Sequence, residues 1–172
     1  MNNKIFLISP DDVKAKSQIN YNVDDSTVST AIRDAQNIYL RDIIGDSLLE
    51  RLQELVVNGI DEPENAAYLD LLDNYVSEYL AYEANVQICV PISFKLRNMG
   101  VVSDTDTNVQ AAQIQGVEYV QDYYRTQSID KANRMIDFII ENKSAFPEIN
   151  SPCVCGKKGA RLIKRANTNL HL

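Results

Sequence analysis

The 172 residues are 45% hydrophobic and 24% charged, an ordinary globular composition with enough chain for one domain and a real apolar core. The formal charge of −7 is unevenly spread: residues 151–172 hold Lys157, Lys158, Arg161, Lys164 and Arg165 and no acid, so +5 sits there and −12 is left for residues 1–150. An acidic body excludes broad phosphate-driven duplex binding, the apolar run from Ile5 to Ile8 is too short for a signal peptide or membrane span, and three cysteines without a secretory signal argue against a disulfide framework.

In chain order, Ser9 with Asp12 predicts an N-cap opening a short helix over 10–17, with Pro10 at its first position. A polar loop, QINYNVDD, follows. The stretch 26–57 then reads as helix, break, helix and organises the rest. Val28, Ile32, Ala35 and Tyr39 share one face, Gly45 interrupts, and Ser47 with Glu50 forms a capping box for the second helix. That helix carries Leu48, Leu49, Leu52, Leu55 and Val56 on one face and stops at Gly59. Two stripes joined at a fixed break need downstream helices to cover them.

Asp61, Pro63 and Glu64 open the longest periodic run, 64–90, with Tyr68, Leu72, Tyr75, Tyr79, Tyr82, Val86 and Cys89 spaced alternately by four and three. This predicts a coiled-coil-like seam about 40 Å long. A buried phenol needs a partner, so the tyrosines fit either a core stripe with hydroxyls reaching the surface or a wet helix interface. Cys89 reads as a small core residue. Pro91 is expected to end the helix, and SFKLRNMGVV to lead into the polar loop SDTDTN at 103–108. Thr107 with Gln110 predicts a cap for a helix over 108–126. Its line is Val109, Ala112, Gly116, Val117, Val120 and Tyr124, with Gly116 marking a close helix approach. Ser128 is expected to cap a last helix with Ile129, Ala132, Ile136, Ile139 and Ile140 inward, and Pro147 to close the domain. The expected fold is all-α, a compact bundle of about five to six helices over 1–150 with an extended non-helical basic arm over 151–172.

Chemistry is sparse. Cys153-Val154-Cys155 offers two thiolates, but structural zinc needs four ligands and the one histidine, His171, is far along the tail. GKKGARLIKR lacks the spacing and the Ser or Thr of a phosphate loop. A helix-turn-helix reading of 26–57 would place Asp46, Glu50 and Glu54 beside Arg51 against phosphates, which repel them. The surface carboxylates read as a solvated face, so no catalytic, cofactor or metal residue is expected. Arg161-Leu162-Ile163-Lys164 mixes charge with apolar groups, as a segment that orders on a partner does.

Taken together, the phrases at 8–55, the Tyr-rich helix at 66–88, FKLRNMGVV at 94–102, MIDFIIENKSAFPEIN at 135–150 and the Cys-x-Cys-Gly-Lys-Lys tail resemble the small α-helical head-to-tail connector (adaptor) proteins of tailed bacteriophages. The likeness is greatest to the first ring protein below the portal in crAss-like phages, and it spans nearly the whole chain. The resemblance implies a structural virion protein and not an enzyme. It would be made and assembled in the host bacterial cytoplasm as a homo-oligomeric ring, typically twelve-fold, with no membrane contact. It further implies a portal protein on one side, a next ring or tail component on the other, and DNA passing through the channel without specific binding. The arm is then the portal-binding element, with Lys157, Lys158, Arg161, Lys164 and Arg165 as charged contacts and Leu162 and Ile163 as apolar ones. The competing expectation is a small helical DNA-binding or packaging accessory protein that uses the same basic tail.

Overall fold

A computed structural model describes residues 5–17, 19, 22–97, 100–103, 114–150 and 156–166. Among these the fold is an all-α bundle with one short hairpin, and its first helix starts as the sequence predicts. Helix α1 (Pro10–Lys16) opens on a reciprocal capping box: the Ser9 hydroxyl accepts the Asp12 N–H at 3.1 Å, and the Asp12 carboxylate accepts the Ser9 N–H at 3.3 Å. Such a cap contributes about 1 kcal/mol. Before it, the buried Gln36 amide accepts the Leu7 N–H and donates to the Ile5 carbonyl, both at 2.9 Å, pinning the entering chain.

Helix α2 (Asp25–Asp34), capped by Asp24, runs without interruption through a π turn (Ala35–Leu40) into α3 (Arg41–Asn58). Gly45 breaks α3 internally with φ 79° and ψ 168°, and Gly59 ends it with φ 117°. Ile43, Ile44, Leu48, Leu49, Leu52 and Leu55 are buried, whereas Val56 is 37% exposed and leaves the predicted face. The expected Ser47–Glu50 capping box does not form, because the Glu50 carboxylate is drawn instead to Lys157 at 2.5 Å.

A 3-10 turn at Pro63–Asn65 starts the central rod: α4 (Ala66–Asp70), a second π turn (Leu71–Val76) and α5 (Ser77–Ser93). Tyr68, Leu72, Tyr79 and Val86 are buried and Tyr75, Tyr82 and Cys89 half-buried, but Leu71, Val76, Leu80, Ala84 and Ile88 are buried as well. The rod is therefore enclosed on several sides, packed by α1, α2 and a long last helix, and is more than a two-helix seam. A π turn adds a residue to the repeat and rotates the faces that follow it. Pro91 does not end α5, which continues to Ser93, where the Ser93 hydroxyl donates to the Cys89 carbonyl at 2.9 Å.

Strands β1 (Phe94–Arg97) and β2 (Gly100–Ser103) then pair antiparallel, Phe94 opposite Ser103 and Arg97 opposite Gly100, within a stretch expected to be a lead-in to a loop. The remainder of that loop, with Thr107, Gln110, Val109 and Ala112, lies outside the described residues.

One helix, α6 (Ile114–Glu141), replaces the two predicted there; its 28 residues span about 42 Å. Ser128 sits mid-helix rather than at an N-cap, and its buried hydroxyl donates to Glu83 Oε2 of α5 at 2.5 Å. Gly116 is exposed beside a shallow groove with α5, so it is not a close crossing point. Val117, Ala132, Met135, Ile136 and Ile139 are buried, while Val120 and Ile140 face outward at 45% and 50% exposure. After α6, 3-10 turns at Lys143–Ala145 and Pro147–Asn150 carry the fully buried Phe146, whose ring meets Tyr68 edge-on at 5.2 Å. The Tyr68 hydroxyl donates to Glu148 at 3.0 Å, and Tyr75 stacks on Phe138 at 4.3 Å. The Tyr79 hydroxyl is buried, with no hydrogen-bond partner among the described residues.

Candidate functional site

Residues 156–166 have no helical period, contain Gly156 and Gly159, and lie as an extended arm across the start of α3 and the side of α6. The slot that receives the arm is made by the break in α3. Gly45 adopts a backbone conformation that side chains strongly disfavour, and a Cβ there would stand 2.6 Å from the Ala160 nitrogen and 2.9 Å from the Gly159 carbonyl carbon. Glycine is thus required both for its own φ and for the close passage of another backbone.

Three sets of backbone bonds fix the arm. The Asp46 N–H donates to the Lys158 carbonyl at 2.9 Å, and the Lys158 N–H donates to Asp46 Oδ2 at 2.6 Å. The Arg161 N–H donates to the Ile43 carbonyl at 2.8 Å, a carbonyl near the α3 break. At the far end, the Asn133 side chain of α6 acts as a one-residue strand partner: its amide donates to the Arg165 carbonyl and its oxygen accepts the Arg165 N–H, each at 2.9 Å. These are contacts to main chain, so they read extension and register rather than side-chain identity.

Charge supplies the complement. Lys157 meets Glu50 at 2.5 Å and Lys164 meets Asp137 at 2.7 Å. Asp42 collects Lys158 at 3.4 Å, Arg161 at 3.9 Å and Arg165 at 4.0 Å. All five arm cations are well exposed, and pairs of this kind contribute at most about 1 kcal/mol each and weaken with salt. Asp46 is the buried member of the slot. Its carboxylate is bound by the Arg41 guanidinium through two nitrogens, one at 2.8 Å. That guanidinium first, and the Lys158 N–H with it, hold the Asp46 carboxyl below its ordinary value against the opposing effect of burial.

All seven expected contact residues of the arm are therefore in view, and the structure separates them. Leu162 is half-buried against the core, whereas Ile163 is 71% exposed. The body residues that receive the arm, Asp42, Gly45, Asp46, Glu50, Asn133 and Asp137, were not legible as a site. The available signal was the opposite charge of body and tail together with the glycine break.

A second polar locus lies beside the arm's end. Glu83, 7% exposed, accepts from Ser128 and from the Gln87 amide at 2.9 Å, and a cleft there is lined by Tyr39, Tyr79, Arg125 and Arg165. Burial, above all, pushes the Tyr79 phenol well above its ordinary range. Elsewhere, burial raises the Cys89 thiol, and Arg51 pairs with Glu54 at 3.1 Å while lying 5.8 Å over the Tyr68 ring. Among the described residues no group of His, Cys, Asp or Glu is placed to hold a metal ion, and no helix is long and apolar enough to cross a membrane. Cys153, Cys155 and His171 lie outside the described residues.

No curated protein and no solved structure matches this chain. The profile of a family of unknown function (DUF6712) matches residues 40–159, a span that takes in the Gly45 slot and the arm as far as the glycine packed against it. Since that is well over half of the sequence, the chain belongs to the family of unknown function DUF6712.

Proposed function

We propose that this protein is a structural subunit of a phage head-to-tail connector, repeated as a ring between portal and tail, with its C-terminal arm as the portal-docking element. The observation that carries the reading is the arm itself. It is extended and basic, and apart from the half-buried Leu162 it is held by side-on backbone bonds and exposed ion pairs, so it can leave the body without unfolding it. The local phrases that resemble connector proteins run through both the body and the arm. An acidic body suits a wall past which DNA slides, since like charge suppresses phosphate contacts. A ring subunit needs no catalytic constellation, and virion assembly in the host cytoplasm follows from the same reading.

Native mass spectrometry of the protein, alone and with the portal of the same phage, tests it. The expected result is a defined ring on the portal that is lost when residues 156–172 are removed. A protein indifferent to the portal overturns the reading. The competing DNA-binding reading predicts affinity for duplex that falls steeply with salt and vanishes with the arm. Against it stands the placement of all five arm cations beside carboxylates of the body itself.

A further inference from the structure

The slot recognises an extended basic peptide through features that do not depend on which chain supplies it. Asp46 and Asn133 each form a reciprocal pair with a single arm residue, Lys158 and Arg165, and the Ile43 carbonyl takes the N–H of Arg161 between them. Register is set by the small Gly159-Ala160 step over Gly45 and by Leu162, the one apolar arm residue turned toward the core. Around this track the body presents Asp42, Glu50 and Asp137, all carboxylates, and the arm presents only cations. We propose that this slot is an inter-subunit docking site, and that the arm of a second copy of the chain occupies it when copies are crowded together.

Three observations favour a second copy over an unrelated partner. The complementary peptide is encoded in the chain, so every additional copy brings one ligand and one slot. Exchange of an identical element keeps every bond and ion pair of the docked state, so trans and cis docking differ only in connectivity. The exposed character of the arm's cations makes release inexpensive. What favours the arm in cis is covalent connection to its own body, which corresponds to an effective concentration on the order of 1 mM. Neighbours in a ring present their arms at comparable local concentration, so exchange would stitch adjacent subunits. An arm that instead leaves for another component would vacate an acidic slot for its neighbour's. The inference extends the ring reading, but its test uses no portal, so the two can fail separately.

The test uses the wild-type full chain under reducing conditions. Unlabelled and nitrogen-15-labelled protein are mixed in equal amounts and treated with a water-soluble carbodiimide, which joins an amine to a touching carboxylate without a spacer. Peptides joining Lys157 to Glu50 and Lys164 to Asp137 are then read by mass spectrometry. With docking between copies, joined peptides carrying one label on each side appear and grow as protein is raised from about 10 μM to about 1 mM, where about half of the docking is between copies and half of those pairs are mixed, so that the mixed product reaches about a quarter of the total. Asn133→Ala, which removes one clamp from the half-exposed face of α6, should cut the mixed Lys164–Asp137 product several-fold. Same-label products alone at every concentration overturn the proposal. So does a mixed product indifferent to Asn133→Ala, and so does the absence of both cross-links, which would mean that the arm does not dock.

Discussion

Replacing Gly45 by alanine tests the slot most directly, because two separable penalties meet at one atom. The backbone there, φ 79° and ψ 168°, lies in a region essentially reserved for glycine, and holding another residue in it costs about 1–3 kcal/mol. The added Cβ would also stand 2.6 Å from the Ala160 nitrogen, closer than real contacts allow, with backbone rather than a pliable side chain on the other side. The arm can relieve that clash only by lifting away, losing the two Asp46–Lys158 bonds and the Arg161–Ile43 bond. At about 0.5–1.5 kcal/mol net for each, the total cost is about 3–7 kcal/mol. Gly59→Ala is the control: its φ of 117° imposes strain, but a Cβ there meets only the flexible Glu62 side chain at 3.7 Å. Urea denaturation gives the stability change, and hydrogen exchange of the Lys158, Arg161 and Arg165 amides reports the arm. Gly45→Ala should strip protection from all three, and Gly59→Ala should destabilise the fold while leaving them protected. If Gly45→Ala keeps the arm amides protected, the slot as described is wrong.

Other consequences follow from single contacts. Ser128→Ala removes the hydroxyl that satisfies the buried Glu83, so urea unfolding should show a loss of about 1–3 kcal/mol, unlike the small effect expected of a helix-surface serine. Tyr79→Phe deletes a buried hydroxyl with no hydrogen-bond partner among the described residues, and its midpoint should stay level or rise, by at most about 1 kcal/mol. Because the Asp46 carboxyl titrates below its ordinary value of 3.8 in the folded protein, its contribution is complete above that value and is lost as pH falls through the lowered one. Arm amide protection should therefore weaken below about pH 4, and Asp46→Asn should remove much of that dependence; an unchanged acid profile would show that another group governs it.

Local rules carried most of the fold. The Ser9–Asp12 box and the stop at Gly59 were legible because each depends on residues within a turn of itself, and the break at Gly45 was legible from the glycine alone, though the backbone that passes it is distant in sequence. Errors came where distant contacts decide. Ser128 carries the composition of a cap, but its hydroxyl is claimed by Glu83, 45 positions earlier, and α6 runs straight through it. Pro91 falls so near the end of α5 that losing one backbone bond does not stop the last turn. Neither π turn has a sequence signature at this level, and the one at Leu71–Val76 shifts the helical phase, which is why extra residues close around the central rod, while Val56 falls in the last turn of α3. The hairpin strands are four residues each, too short for their alternation to stand out. As for the site, opposite charge announced that tail and body could attract, but only the fold brings Asp42, Asp46, Asn133 and Asp137 to one track.

The passage of the arm over Gly45 also sets an order in time. Its bonds join residues 112 positions apart at Lys158 and Asp46, and every described hydrogen bond between arm and body is long-range, the Ile163 N–H to Arg161 carbonyl bond lying within the arm itself. A chain emerging N-terminus first completes α1 through α6 before the arm is free to reach back. Closing so long a loop costs little more than closing a shorter one once the body is folded, so docking is a late and fast step. Every newly made copy therefore passes through an interval in which its body is finished and its slot is open.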